Sequence, residues 1–267
     1  MKYVFFGGQE SEFAQINLDR LIKAGKKPLA EIRNSKLPLD EDYLKSLNAD
    51  FFLVAAFAKI LKKEIISIAK KGTIGAHPSL LPKYRGASPI QSALLNDEKE
   101  TGTALFLIDE KVDHGAILTT NKLQITTDDN YVTLTRKLAE LSADLILEAV
   151  PKWLNNEIQP QIQNESEATY TKKFITEDAL IDFQKENPKK IWLKIRALNP
   201  EPGTYAILKL KNGKELRLKI LKADFADNRL KIDEVQPEGK KIMKLKDFLN
   251  GYGKNLLDPI FSPPIVL

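Results

Sequence analysis

Phe51-Phe52-Leu53-Val54-Ala55-Ala56 is an unbroken apolar run that starts directly after Asp50. It is far shorter than the roughly 18 residues a membrane span needs. A short, wholly apolar run suits a parallel strand covered on both faces. Working outward, the chain alternates between two textures. Upstream, Tyr3–Phe6 is a second apolar run ending in Gly7-Gly8. Phe13, Ile16, Leu18, Leu21 and Ile22 then recur at helical spacing, with Gly25 as a candidate C-cap. Downstream, Lys59–Lys71 reads as an amphipathic helix closed by Gly72. Thr73–Ala76, Thr103–Ile108 and Ala116–Ile125 read as strands, and Thr133–Trp153 as a long amphipathic helix. This order predicts an α/β domain with a Rossmann-like open parallel sheet and helices on both faces.

The texture changes after residue 154. Residues 155–171 are rich in Gln, Asn and Glu and read as a linker. Ile175–Leu198 is helical in part, with Pro188 near a helix start. Short β-like runs follow at Thr204–Leu210, Glu215–Leu221, Arg229–Val235 and Lys240–Leu245, and Asn212-Gly213 marks a hairpin between the first two. Several strands in so short a stretch predict a small OB-like β-barrel. The expected division is a first domain at 1–154, a linker at 155–175 and a barrel domain at 176–267.

Composition narrows the chemistry. The chain has 267 residues, of which 43% are apolar and 29% charged, enough for a sizeable core. Cys is absent, which excludes disulfides, thiolate nucleophiles and Cys-ligated zinc, and a total of two His argues against a multi-His metal site. A reducing cytoplasm, no membrane span and no cleaved leader are the expectations. The net charge of +5 is uneven: residues 1–170 hold 21 basic and 23 acidic residues, whereas 171–267 hold 20 and 13. A basic excess of 7 confined to the C-terminal third suits a polyanionic partner or a Lys-rich solvated surface.

His77 and His114 are the side chains able to titrate near neutrality without a large shift. His77 follows a strand and opens a loop stiffened by Pro78, Pro82 and Gly86. Ligands of open α/β sheets bind beyond the carboxyl ends of strands, which is where this loop falls. Asp113 and His114 lie in a charged turn, where a carboxylate in reach of a His would orient the ring. Gly7-Gly8 lacks the rest of a dinucleotide or Walker pattern.

The run Gly72-Thr73-Ile74-Gly75-Ala76-His77-Pro78-Ser79-Leu80-Leu81-Pro82-Lys83-Tyr84-Arg85-Gly86-Ala87-Ser88-Pro89-Ile90-Gln91 resembles the signature of the folate-dependent formyltransferases. Glu100–Thr103 through Asp109–Leu118 resembles that family's second signature. Ile195–Tyr205 and Val235–Met243 look like the second domain of the members that act on initiator Met-tRNA. The resemblance covers nearly the whole chain in order. It implies transfer of a formyl group from 10-formyltetrahydrofolate, without a metal, to the α-amino group of methionine on initiator tRNA. An amino-sugar nucleotide as acceptor, and a non-catalytic RNA-binding relative, are the other readings.

The resemblance assigns His77 and Asp113 to catalysis. Gly75 occupies the position of the family's Asn, and replacing it by Asn is expected to raise turnover modestly. Ser79, Leu80, Leu81 and Pro82 fall on the folate loop, and Phe57, Ala58, Lys59, Ile60 and Leu61 on the pterin side, although apolar members of both groups suit a plain core. The family's long basic loop after the second strand is short here, at 31–38, leaving Arg33 and Lys36.

Overall fold

The computed structural model describes residues 1–257 and the backbone of Ile265–Val266. The remainder of the expected barrel domain lies outside the described residues. In chain order the elements are β1 (Tyr3–Gly7), α1 (Glu12–Lys23), β2 (Ala30–Ile32), α2 (Glu41–Ser46), β3 (Phe51–Ala55), α3 (Lys63–Ile66), β4 (Thr73–His77), β5 (Arg85–Gly86), α4 (Pro89–Leu95), β6 (Glu100–Leu107), β7 (Ile117–Gln124) and α5 (Tyr131–Leu154). After them come β8 (Tyr170–Thr171), α6 (Pro188–Leu198), β9 (Tyr205–Lys209), β10 (Glu215–Ala226), β11 (Arg229–Pro237), β12 (Met243–Lys244), α7 (Leu245–Tyr252) and β13 (Ile265–Val266). The chain forms two compact units, the first of Met1–Ile90, Lys99–Thr127 and Thr133–Lys172, the second of Gln91–Glu98, Asp128–Val132 and Lys173 onward.

In the first unit the apolar runs form a six-stranded sheet in the order β2-β1-β3-β4-β6-β7. The pairs β1–β2, β1–β3 and β3–β4 are parallel, in keeping with the continuous apolar runs of β1 and β3. The far edge differs from the expected parallel sheet: β6 and β7 run antiparallel. A hairpin-like connection through Asp109–Ala116 joins them, too short for a parallel crossover. Ser11 caps α1 by accepting from the Ala14 N–H, and Gly25 takes the left-handed conformation past its end.

Two expected elements shrink. Of Lys59–Lys71, one turn at Lys63–Ile66 is helical. Ile60, Ile65, Ile66 and Ile68 weaken helix propensity, and Phe57–Leu61 is irregular backbone. Of Lys240–Leu245, Met243 and Lys244 pair with β11, and the chain then turns helical to bury Leu245 and Phe248 on one face.

The second unit is an antiparallel sheet in the order β12-β11-β10-β9, with β13 parallel to β11. Asn187 caps α6 by accepting from the Lys190 N–H, with Pro188 in its first turn. Ile191 and Ile195 of this helix pack with Leu218, Ile220, Leu230, Ile232 and Phe248. Among the described residues no helix is long and apolar enough to cross a membrane.

Candidate active site

Because β3 and β4 are parallel, the chain leaves both at the same edge of the sheet. A cavity of about 480 Å³ opens there, lined by Phe57–Leu61, Gly75, His77, Phe106, Asp109 and Asp113, among others. Its size lies within the roughly 300–1,000 Å³ of small-molecule sites. Apolar walls beside irregular backbone, with its unladdered polar groups, suit a flat heteroaromatic ligand.

His77 ends β4 and is 7% exposed. Its Nε2 lies 2.9 Å from the Tyr84 carbonyl oxygen. A carbonyl only accepts, so Nε2 carries the hydrogen and Nδ1 is the basic nitrogen. Nδ1 is 3.5 Å from Asp113 Oδ2. The Phe106 ring stands edge-on to the imidazole, with centroids 6.5 Å apart. A proton arriving at Nδ1 would give an imidazolium with an acceptor at each nitrogen.

The Asp113 carboxylate accepts from the Gly86 N–H at 2.7 Å. Gly86 has φ +105°, and a Cβ there would stand 2.8 Å from the Thr171 carbonyl oxygen, so this close approach requires glycine. The pairing of β5 with β8 sets that approach. The segment read as a linker is therefore no free tether. Its Gln161 pairs with Ile117, and its Gln163 and Glu165 bond to Arg85. Most of its polar side chains are exposed; Gln163 is the one that is buried, and Gln161 pairs through its backbone.

Arg85 is fully buried. Its bonds to Glu165 raise its pKa further, against the opposing effect of burial, and the same bonds hold the Glu165 carboxyl below its ordinary 4.5. His114 sits between carboxylates rather than in the cavity wall, with Nδ1 at 2.6 Å from Asp109 and Nε2 at 3.5 Å from Glu165.

The structure thus brings together His77, Asp113, Gly75 and Phe57, Ala58, Lys59, Ile60 and Leu61. It does not bring Ser79, Leu80, Leu81 or Pro82 to the cavity lining. The Ser79 hydroxyl donates to the Lys83 carbonyl, and Leu81 packs with Ala104 and Phe106. Leu80 lies over Gly102, and the Pro82 carbonyl accepts from the Thr169 N–H. These residues brace the loop that carries Tyr84 and Arg85. In the short segment at 31–38, Arg33 turns inward to Gly8 and Gln15.

Gly75 pairs with Phe106 across β4 and β6. A Cβ at 75 would run into Phe106 Cε1 and lie 2.6 Å from its Cζ and 3.1 Å from Ile108 Cγ1. The expected gain from Asn therefore depends on Phe106: the ring fills the space, and an Asn needs it to move. Phe106, Gln163 and the Tyr84 carbonyl escaped the sequence reading. The strand register could have exposed the first; nothing local points to the other two.

In the second unit, Leu218 and Ile220 of β10 point inward while Lys219 is exposed, and Lys231 and Arg229 of β11 are exposed likewise. Arg217 lies 3.7 Å over the Tyr205 ring. The result is a basic sheet face carrying one stacked cation.

The family model described as formyl transferase matches residues 1–150, and that of the formyl transferase C-terminal domain matches residues 173–229. A methionyl-tRNA formyltransferase of Dictyoglomus turgidum is 38% identical over 242 residues, covering 80% of this chain and 75% of its own. The solved methionyl-tRNA formyltransferase from Clostridium thermocellum shares the fold, with TM-score 0.66 and 21% identity over 91% of this chain and all of its own. So does HypX from Aquifex aeolicus, solved in complex with tetrahydrofolic acid, with TM-score 0.71 and 16% identity over 95% of this chain and 48% of that one. With both family models matched in order and relatives of this identity along most of its length, the chain belongs to the formyl transferase family.

Proposed function

We propose that this chain transfers the formyl group of 10-formyltetrahydrofolate to the α-amino group of methionine on initiator Met-tRNA, in the cytoplasm. The observation that carries the reading is the His77–Asp113 pair at the wall of the cavity, at the family's signature. The formyl donor is a substrate that supplies the one-carbon group when bound. The amine attacks the formyl carbon, and the amine's proton passes to His77 Nδ1. Asp113, 3.5 Å away, stabilises the imidazolium so formed, and the Tyr84 carbonyl holds the ring in that orientation. Tetrahydrofolate departs with a proton returned from the same ring. Gly75 offers no side-chain donor, so the developing oxyanion relies on backbone N–H groups or water.

Phe57–Leu61 provides the wall against which the pterin lies, and Ser79–Pro82 supports the loop behind it. The basic face of the second unit favours tRNA over an amino-sugar nucleotide as the acceptor, since a sugar nucleotide needs no such surface. The test is a formylation assay with 10-formyltetrahydrofolate, offering charged initiator Met-tRNA and amino-sugar nucleotides in parallel. Formyl-methionyl-tRNA as the product is expected; formylation of the sugar alone would overturn the acceptor. Folate binding without transfer to either would favour the non-catalytic reading.

A further inference from the structure

Asp113 is a non-glycine residue at φ +47°, a conformation L-residues adopt rarely. Its carboxylate accepts from the Gly86 N–H, while its own carbonyl oxygen accepts from Gln163 Nε2 at 2.8 Å. The same Nε2 donates to the Gly115 carbonyl oxygen at 2.7 Å, so one amide group clamps the turn on both sides of His114. Gln163 is 5% exposed. Its Oε1 accepts from Arg85 Nε at 3.0 Å and Nη2 at 2.8 Å. The amide has one workable orientation, because a flip would set donors against donors and oxygen against carbonyls.

Arg85 is in turn held by hydrogen bonds on every nitrogen. Nη1 donates to Glu165 and to the Tyr170 hydroxyl, and Nη2 donates to Glu165 as well as Gln163. All of its N–H donors are engaged, and the guanidinium lies 5.7 Å from the Tyr170 ring centroid. The same segment also sets the other partner of His77. Thr169 accepts the Tyr84 N–H on its hydroxyl and the Arg85 N–H on its carbonyl, and the Tyr84 carbonyl is the group that takes His77 Nε2.

We propose that Gln163 and Arg85 are positioning residues of the transfer site, holding the Asp113 carboxylate opposite His77 Nδ1. The segment 161–171 is on this account part of the active-site framework. The proposal rests on the reading of His77 and Asp113 given under Proposed function. It differs from a merely structural role in one respect: the damage from losing Gln163 must travel through Asp113.

The experiment measures kcat and KM for Met-tRNA and 10-formyltetrahydrofolate in the full-length Gln163→Glu, Asp113→Ala and doubly substituted enzymes. Gln163→Glu keeps the shape and the contact with Arg85 but replaces both donated hydrogens. Its kcat should fall about 10–100-fold with both KM values within about twofold, and add little to Asp113→Ala. Unchanged kcat, or a fall that multiplies fully with that of Asp113→Ala, would overturn the positioning role. Full turnover in Asp113→Ala alone would instead overturn the reading of the site. If Gln163→Glu does not fold, Gln163→Met is measured in its place; failure of both to fold would make the role structural and overturn the proposal.

Discussion

Near Asp113 the side chains of Gln163 and Arg85 are buried and each is met by partners in the same unit: Gln163 by two carbonyls and a guanidinium, Arg85 by Glu165 and Tyr170. On β10 and β11 of the second unit Lys219, Arg229 and Lys231 stand exposed, and the apolar residues between them form the core. On the proposed function the two regions act through different physics. The first works by fixed geometry, which a displacement near 1 Å can spoil. The second works by charge, which is screened over about 8 Å at physiological salt. Substitutions should therefore be sharp and salt-insensitive in one, graded and salt-sensitive in the other.

The largest effect is expected at His77. Replacing it by Ala removes the proposed proton acceptor and should lower kcat by about 10²–10⁴-fold, with tRNA affinity nearly unchanged. Steady-state kinetics beside a tRNA-binding titration checks this; a weakened tRNA complex with normal kcat would blur the division between the regions.

Next comes Gly75→Asn. Because the Phe106 ring fills the place of the new Cβ, overpacking should destabilise the first unit by about 1–3 kcal/mol and lower turnover. Adding Phe106→Leu should recover much of both losses. Denaturant unfolding and kcat of the single and double variants decide it, and a Gly75→Asn enzyme as stable and faster than its parent would show that the ring yields freely.

Lys219→Gln with Lys231→Gln should weaken tRNA binding gradually. The slope of log affinity against log salt should shrink by up to about 0.9 for each duplex phosphate that is no longer neutralised, while kcat at saturation holds. An unchanged slope would remove this face from the tRNA-binding surface.

The smallest effect concerns pH. The Glu165 carboxyl is held below its ordinary 4.5 by Arg85, so its contribution to stability is full above that value and is lost as pH falls through the lowered one. The gap in melting temperature between the parent and Glu165→Gln should accordingly narrow as pH drops from about 6 toward about 3. A constant gap would mean that the pair adds nothing through ionisation.

How much of this was legible in the sequence differs between the regions as well. The runs Tyr3–Phe6, Phe51–Ala56 and Thr73–Ala76 announce buried parallel strands, since nothing charged interrupts them. Alternation along Glu215–Leu221 and the Asn212-Gly213 turn likewise announce a hairpin. His77 stands out because it follows a strand and precedes two prolines. The clamp was hidden, because Gln163 and Arg85 are 78 residues apart and the segment around Gln163 has the composition of a solvated linker. Phe106 was hidden for a different reason: its meeting with Gly75 depends on an antiparallel register at the end of a sheet that reads as parallel.

The division between geometry and charge is tested most directly by single-turnover formylation of Met-tRNA by the parent enzyme and His77→Ala across a salt series. The account predicts a plateau rate independent of salt in both enzymes and far lower in His77→Ala, with half-saturation moving to higher enzyme concentration as salt rises, equally in the two. A plateau unaffected by His77→Ala, or a half-saturation indifferent to salt, would contradict it.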